Sequence, residues 1–222
     1  MKFISLLTLL FINTLGYSQL NDDWQSIFYQ IEMVNIDRHI KDSILKYNKY
    51  YPISNSDQNI EYYSIELDTV SSTIRVEHGY ESGQSGFQAF ECKIIKTVKE
   101  NDIVIYSEYS GANILVTQNK LNVYNYNRRK KKLTADSNKE KLFRLSIRDF
   151  FEPSATDLVI INYELHASGF FDLNFANKDV IYLLIDFSLA KEKTESAYLL
   201  GNAIEFKWVD NHFQRIGPYF IE

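Results

Sequence analysis

Apolar positions recur along the chain with two distinct periods. Between Asp22 and Tyr50 the spacing is helical. Trp24, Ile27, Phe28, Ile31 and Val34 fall at i, i+3 and i+4, and Ile36, Ile40, Ile44 and Tyr47 continue on a shifted face. This predicts a helix or a helix pair. Asn21 or Asp22 is placed to cap the start, and Asn35 to cap a second helix. Asp22 and Asp23 suit the positive end of the helix dipole. Pro52 closes the segment, because the residue before a proline avoids helical dihedrals.

From Ile60 to Asn127 the period changes to two. Tyr63, Ile65 and Leu67 alternate with Glu66 and Asp68, and Ile74, Val76 and His78 alternate with Arg75 and Glu77. Phe90, Cys92, Ile94 and Val98 share one face of a long strand. A turn at Asn101-Asp102 would set Ile105 opposite Val98 and Ser107 opposite Lys96. Gly111 marks another turn, and one at Asn119-Lys120 would pair Val116 with Val123. The region reads as a six-strand antiparallel meander with half-buried strands.

Beyond a basic run, Lys139–Phe151 has a helical pattern ended by Pro153. Leu158–Leu165 and Val180–Phe187 read as buried strands, and Lys191–Leu200 as a loop or short helix. A last hairpin turns at Asp210-Asn211 and sets Trp208 opposite Phe213. The predicted fold is α+β: an N-terminal helix or helix pair, a mainly antiparallel meander sheet of about ten strands, one further helix near 139–151, and a C-terminal β-hairpin. No repeat or low-complexity linker interrupts residues 19–222, which read as one domain. The weakest point in it is residues 128–138.

Composition excludes several classes. The 222 residues are 45% hydrophobic and include 15 Phe and 16 Tyr, but only 8 Gly, 3 Pro and one Cys. Disorder needs fewer aromatics, collagen far more Gly and Pro, and a disulfide scaffold more Cys.

The first residues change the picture of where the chain works. Met1-Lys2 precede an apolar run from Phe3 to Leu15, and small residues stand at Gly16 and Ser18. This is the layout of a secretory signal peptide over 1–18, too short in its apolar part to span a membrane. Loss of Lys2 takes the formal charge from −5 to −6. Cys92 has no partner for an internal disulfide. An exported domain of this size without disulfides points to bacteria, as does the excess of Lys (17) over Arg (7). The expected location is periplasmic or secreted, with no transmembrane segment in the mature chain.

Local catalytic motifs fail one by one. The glycine-rich stretch His78–Gly86 lacks the Gly-Lys-Ser/Thr of a phosphate loop and the closing glycine of a hydrolase elbow, so it reads as a hairpin loop. His39, His78, His166 and His212 lie too far apart for a metal-ligand motif, so no metal and no cofactor is expected. His166, at a strand end, is the histidine best placed for a catalytic or binding role. Cys92 shares its face with Phe90 and Ile94 and reads as buried and inert.

Two features remain as binding candidates. Arg128, Arg129, Lys130, Lys131 and Lys132 are five successive cations on an acidic chain, hence an exposed loop or hairpin tip. The tyrosines Tyr47, Tyr50, Tyr51, Tyr62 and Tyr63 gather at helix and strand ends, where they suit a partner surface or a sugar-stacking face. Export and net acidity argue against nucleic acid. The sequence therefore reads as a non-enzymatic partner- or ligand-binding protein with an envelope or extracellular partner. The alternatives are a periplasmic hydrolase acting on glycan or peptide, and an envelope-associated protein that binds anionic lipid or polysaccharide through the basic loop.

Overall fold

The structure, a computed structural model, describes residues 22–52, 60–82, 86–112, 115–158, 160, 168–173, 179–186 and 198–221. The signal-peptide segment, residues 83–85 of the glycine loop, His166 and most of the Leu158–Leu165 run lie outside them. Residues 157, 158 and 160 are helical rather than extended. Among the described residues, no helix is long and apolar enough to cross a membrane.

The N-terminal segment forms a helix pair, α1 (Asp22–Gln30) and α2 (Arg38–Tyr47). Asp22 and Asp23 occupy the first turn of α1. Asp37, not Asn35, caps α2, its side chain accepting from the Ile40 N–H at 2.9 Å. Asn35 has φ 61° and makes the turn between the helices. Asn48, at φ 62°, ends α2 with its N–H on the Ile44 carbonyl.

Seven strands form the first sheet, in sequence order: β1 (Lys49–Tyr50), β2 (Glu61–Asp68), β3 (Thr73–Tyr80), β4 (Phe87–Ile95), β5 (Asn101–Ala112), β6 (Leu115–Asn127) and β7 (Lys132–Ala135). All neighbours are antiparallel, so the predicted meander is present. Between 60 and 127 it has five strands rather than six, because the turn expected at Asn119-Lys120 is not made, and a second turn lies elsewhere than expected.

β4 ends at Ile95, and residues 96–100 make the turn. Buried Asp102 fixes this turn by accepting from Lys96 Nζ at 2.7 Å and the Thr97 N–H at 3.2 Å. Ile105 therefore faces Lys93 and Ser107 faces Glu91, while Val98 stands 94% exposed. The second correction concerns Asn119-Lys120, which lies inside β6. Glu108 pairs with Lys120 and Tyr109 with Gln118, so Asn119 is the extra residue of a bulge. Val116 accordingly faces Gly111, and Val123 faces Ile105.

The second sheet has the order β11-β10-β9-β8, with β8 (Ser168–Asp172), β9 (Val180–Asp186), β10 (Ala203–Val209) and β11 (His212–Tyr219). The C-terminal hairpin is as predicted. Asp210 and Asn211 both take positive φ, and Trp208 faces Phe213 with ring centroids 4.8 Å apart. The helix expected near 139–151 is a broken one: α3 (Ser137–Glu140), then single 3-10 turns at Lys141–Phe143 and Ile147–Phe150. The break lets both Phe143 and Phe150 reach the core. Residues 128–138 hold the β6–β7 turn, β7 and the start of α3.

The first sheet is the middle of three layers. On one face Ile74, Val76, Phe90, Cys92, Val104 and Tyr106 pack against Ile27, Phe28 and Ile44 of the helices. On the other, Ile103, Ile105 and Val123 pack against Phe171, Ile181, Ile204 and Phe206 of the second sheet, with Phe143 and Phe150 beside them. The strand alternation sends Val104 and Ile105 to opposite cores.

Polar side chains of the first sheet fasten the chain at β8. Lys93 Nζ donates to the Leu173 carbonyl at 2.9 Å, and Glu91 accepts from the Leu173 N–H at 3.3 Å. Gln118 accepts from the Phe171 N–H at 2.9 Å, and Ser107 donates to the Phe171 carbonyl. Among the described residues β8 is an edge strand of its sheet, and these side chains satisfy backbone groups that a further strand would otherwise pair.

Candidate functional site

The two ends of the first sheet have different chemistry. At one end, the termini of β3, β4, β5 and β6 surround a shallow open groove of about 490 Å³. His78 and Tyr80 line one side, Phe87 and Gln88 the next strand, and Ser110 and Thr117 the far side. Gly86, at φ +79°, and Gly111 complete it. A side chain at Gly86 would run into the Gly111 carbonyl, and its positive φ favours glycine as well.

His78 is held firmly. Its Nε2 lies 2.8 Å from Glu61, and its ring stacks on Tyr63 with centroids 4.5 Å apart. Tyr63 donates its hydroxyl to the same Glu61 oxygen at 3.0 Å. Burial and then this bond push the Tyr63 phenol far above its usual range, so it stays a donor. Among the described residues no hydroxyl or thiol is hydrogen-bonded to His78, so no nucleophile–base pair is assembled there. Gln88 donates to Glu108 at 2.9 Å, and buried Glu108 also accepts from Tyr106. The groove wall is thus prearranged by carboxylates behind it, while its lining offers an imidazole, an amide, hydroxyls and aromatic faces.

Other candidates divide clearly. Cys92 is buried, and desolvation pushes its thiol up to about 12, far from a working nucleophile. Among the described residues no group of three or more His, Cys, Asp and Glu could hold a metal. Of the tyrosines, Tyr63 is buried and Tyr50 packs edge-on to His39. Tyr51 donates to Glu81 at 2.8 Å, and Lys49 lies on that same carboxylate and 4.1 Å from the Tyr62 ring centroid. These side chains tie down the β1–β2 edge. Two of the five are exposed, Tyr47 at 60% on a helix end and Tyr51 at 47%.

The basic run lies at the opposite end of the sheet, as an exposed hairpin tip between β6 and β7. Its five cations do not share one role. Arg128 turns inward. Its guanidinium donates to the carbonyls of Thr97, Lys99 and Glu100 and sits 3.7 Å from Asp102. Lys131, at φ 47°, reaches Asp22 of α1 at 3.4 Å. Its carbonyl accepts from Gln30 at 3.0 Å and from Ser26. Arg129, Lys130 and Lys132 are exposed, with no carboxylate within ion-pair distance among the described residues.

The groove was not visible in the sequence as a site. Its residues come from four strand ends, and only the His78–Gly86 stretch stood out locally. No protein-family model matches the chain, and no curated protein matches it. A solved structure of a domain of an uncharacterized protein from Porphyromonas gingivalis W83 is similar in fold, with a TM-score of 0.55 at 10% identity. The match covers 86% of this chain and 96% of that one. At this identity the likeness concerns the fold alone.

Proposed function

We propose that the protein is an exported bacterial binding protein whose ligand site is the groove at the β3–β6 strand ends. The groove lining carries the proposal. Tyr80 and Phe87 offer apolar faces, and Gln88, Ser110 and Thr117 offer donors and acceptors, with no carboxylate among the described lining residues. Such a mixture fits an uncharged, hydroxyl-rich ligand of the glycan type, which stacks on aromatic rings and exchanges hydrogen bonds with amides and hydroxyls. A hydrolase would need an acid and a base facing the scissile bond, two carboxylates in most glycosidases. Export rests on the basic, apolar and small-residue layout of residues 1–18. N-terminal sequencing of protein recovered from outside the cytoplasm is expected to begin at Gln19. A start at Met1 would contradict export.

The groove reading is tested by calorimetric titration with neutral envelope oligosaccharides. Tyr80→Ala is expected to weaken binding about tenfold, roughly 1.4 kcal/mol. Tyr47→Ala, remote and exposed, is expected to leave it unchanged. Equal affinity for the wild type and Tyr80→Ala would overturn the site, and release of shortened saccharide would establish the hydrolase instead.

A further inference from the structure

We propose that the end of the sheet opposite the groove is a docking tip for an anionic lipid surface. Two turns that are distant in sequence form it together, residues 96–100 and 128–131. Arg128 binds them into one unit by donating to three carbonyls of the first turn and pairing with Asp102 beneath. With Lys96 and Arg128 engaged on Asp102, and Lys131 on Asp22, Lys99, Arg129, Lys130 and Lys132 project free among the described residues. Glu100 is the carboxylate left exposed beside them, so the tip is cationic on a chain of net charge −5.

Val98 selects the occupant. It stands 94% exposed at the crest of the first turn, between Thr97 and Lys99. A soluble polyanion would use the cations and leave an apolar side chain in water. A bilayer uses both: headgroup charge attracts the lysines, and the interface takes up the apolar group. β5 has 12 residues and runs from the tip to the groove, a span of about 40 Å. A protein docked by the tip therefore presents the groove away from the surface. This proposal does not rest on the groove reading, and either can fail alone.

The test is co-sedimentation of the purified protein with vesicles of phosphatidylcholine containing about 30% phosphatidylglycerol, against phosphatidylcholine alone, at about 0.1 M ionic strength. Binding is expected only to the anionic vesicles, and is expected to fall as salt rises. The variant Arg129→Gln/Lys130→Gln/Lys132→Gln is expected to bind about a hundredfold more weakly, at about fivefold per cation. Its unfolding temperature should not change, because these side chains make no described ion pair. Val98→Ser is expected to weaken binding several-fold at unchanged charge. No binding to the anionic vesicles, or full binding by the triple variant, would overturn the proposal. Full binding by Val98→Ser, with equally tight binding of dextran sulfate, would overturn the lipid assignment in favour of a soluble polyanion.

Discussion

Replacing Phe206 with alanine is expected to cost about 3–5 kcal/mol of stability. Phe206 is 2% exposed at the centre of β10. Its ring lies 4.7 Å from that of Phe143 and 6.1 Å from that of Phe171, measured between centroids. It thus joins the second sheet to the 3-10 segment and to β8 across one core. Truncation removes the apolar area and leaves a cavity that two flanking aromatic rings cannot collapse into fully. At about 2–4 °C per kcal/mol for a chain of this size, the midpoint of thermal unfolding should fall by roughly 6–20 °C. Phe206→Leu, which fills most of the space, should lose much less. A loss under about 1 kcal/mol for Phe206→Ala would mean that the two sheets do not pack as described.

Glu91→Ala is expected to cost as much, for a different reason. Glu91 is 2% exposed. It accepts from the Tyr109 hydroxyl at 2.7 Å, from the Leu173 N–H at 3.3 Å and from Arg75 at 3.5 Å. Removing Glu91 takes this acceptor from the buried Tyr109 hydroxyl and Leu173 N–H, at about 1–3 kcal/mol each, and takes one carboxylate from Arg75, which keeps Glu77 at 3.2 Å. Lys93, fully buried, holds the same residue through the Leu173 carbonyl. The prediction is checked by urea unfolding of Glu91→Ala, Arg75→Ala and the double variant. A coupling energy above about 0.5 kcal/mol is expected for groups in one network. Strict additivity would show that Glu91 and Arg75 act separately.

Glu91 and Lys93 also mark where sequence reading reached its limit. Period two says which side chains share a face, and it placed Phe90, Cys92 and Ile94 together correctly. It does not say whether the other face will be covered. Glu91, Lys93 and Ser107 have the charge and polarity of a solvent-facing row, yet they are buried under the backbone of β8. Turns were readable where backbone chemistry forces them, as at Asp210-Asn211 with two positive φ angles. They were misplaced where a polar pair had another use. Asn119 is a bulge residue, and Asp102 is a buried acceptor that organises the turn before it. The helix pair was visible, but its cap shifted from Asn35 to Asp37 because the chain needed a left-handed residue between the helices.

The candidate sites divide in the same way. Five successive cations had to be exposed, and they form a hairpin tip. That Arg128 would turn inward, and that Val98 would stand beside the run, depends on pairing across β4, β5 and β6. The groove needs still more distant partners, since His78 and Thr117 meet only through the registers of three hairpins.

The most direct test of the account is amide shift mapping of the isotope-labelled protein during titration with a neutral envelope oligosaccharide. The largest changes are expected at Tyr80, Phe87, Gln88, Ser110, Gly111 and Thr117, with residues 128–132 unmoved. Changes centred anywhere else, or signals of a shortened saccharide growing with time, would contradict it.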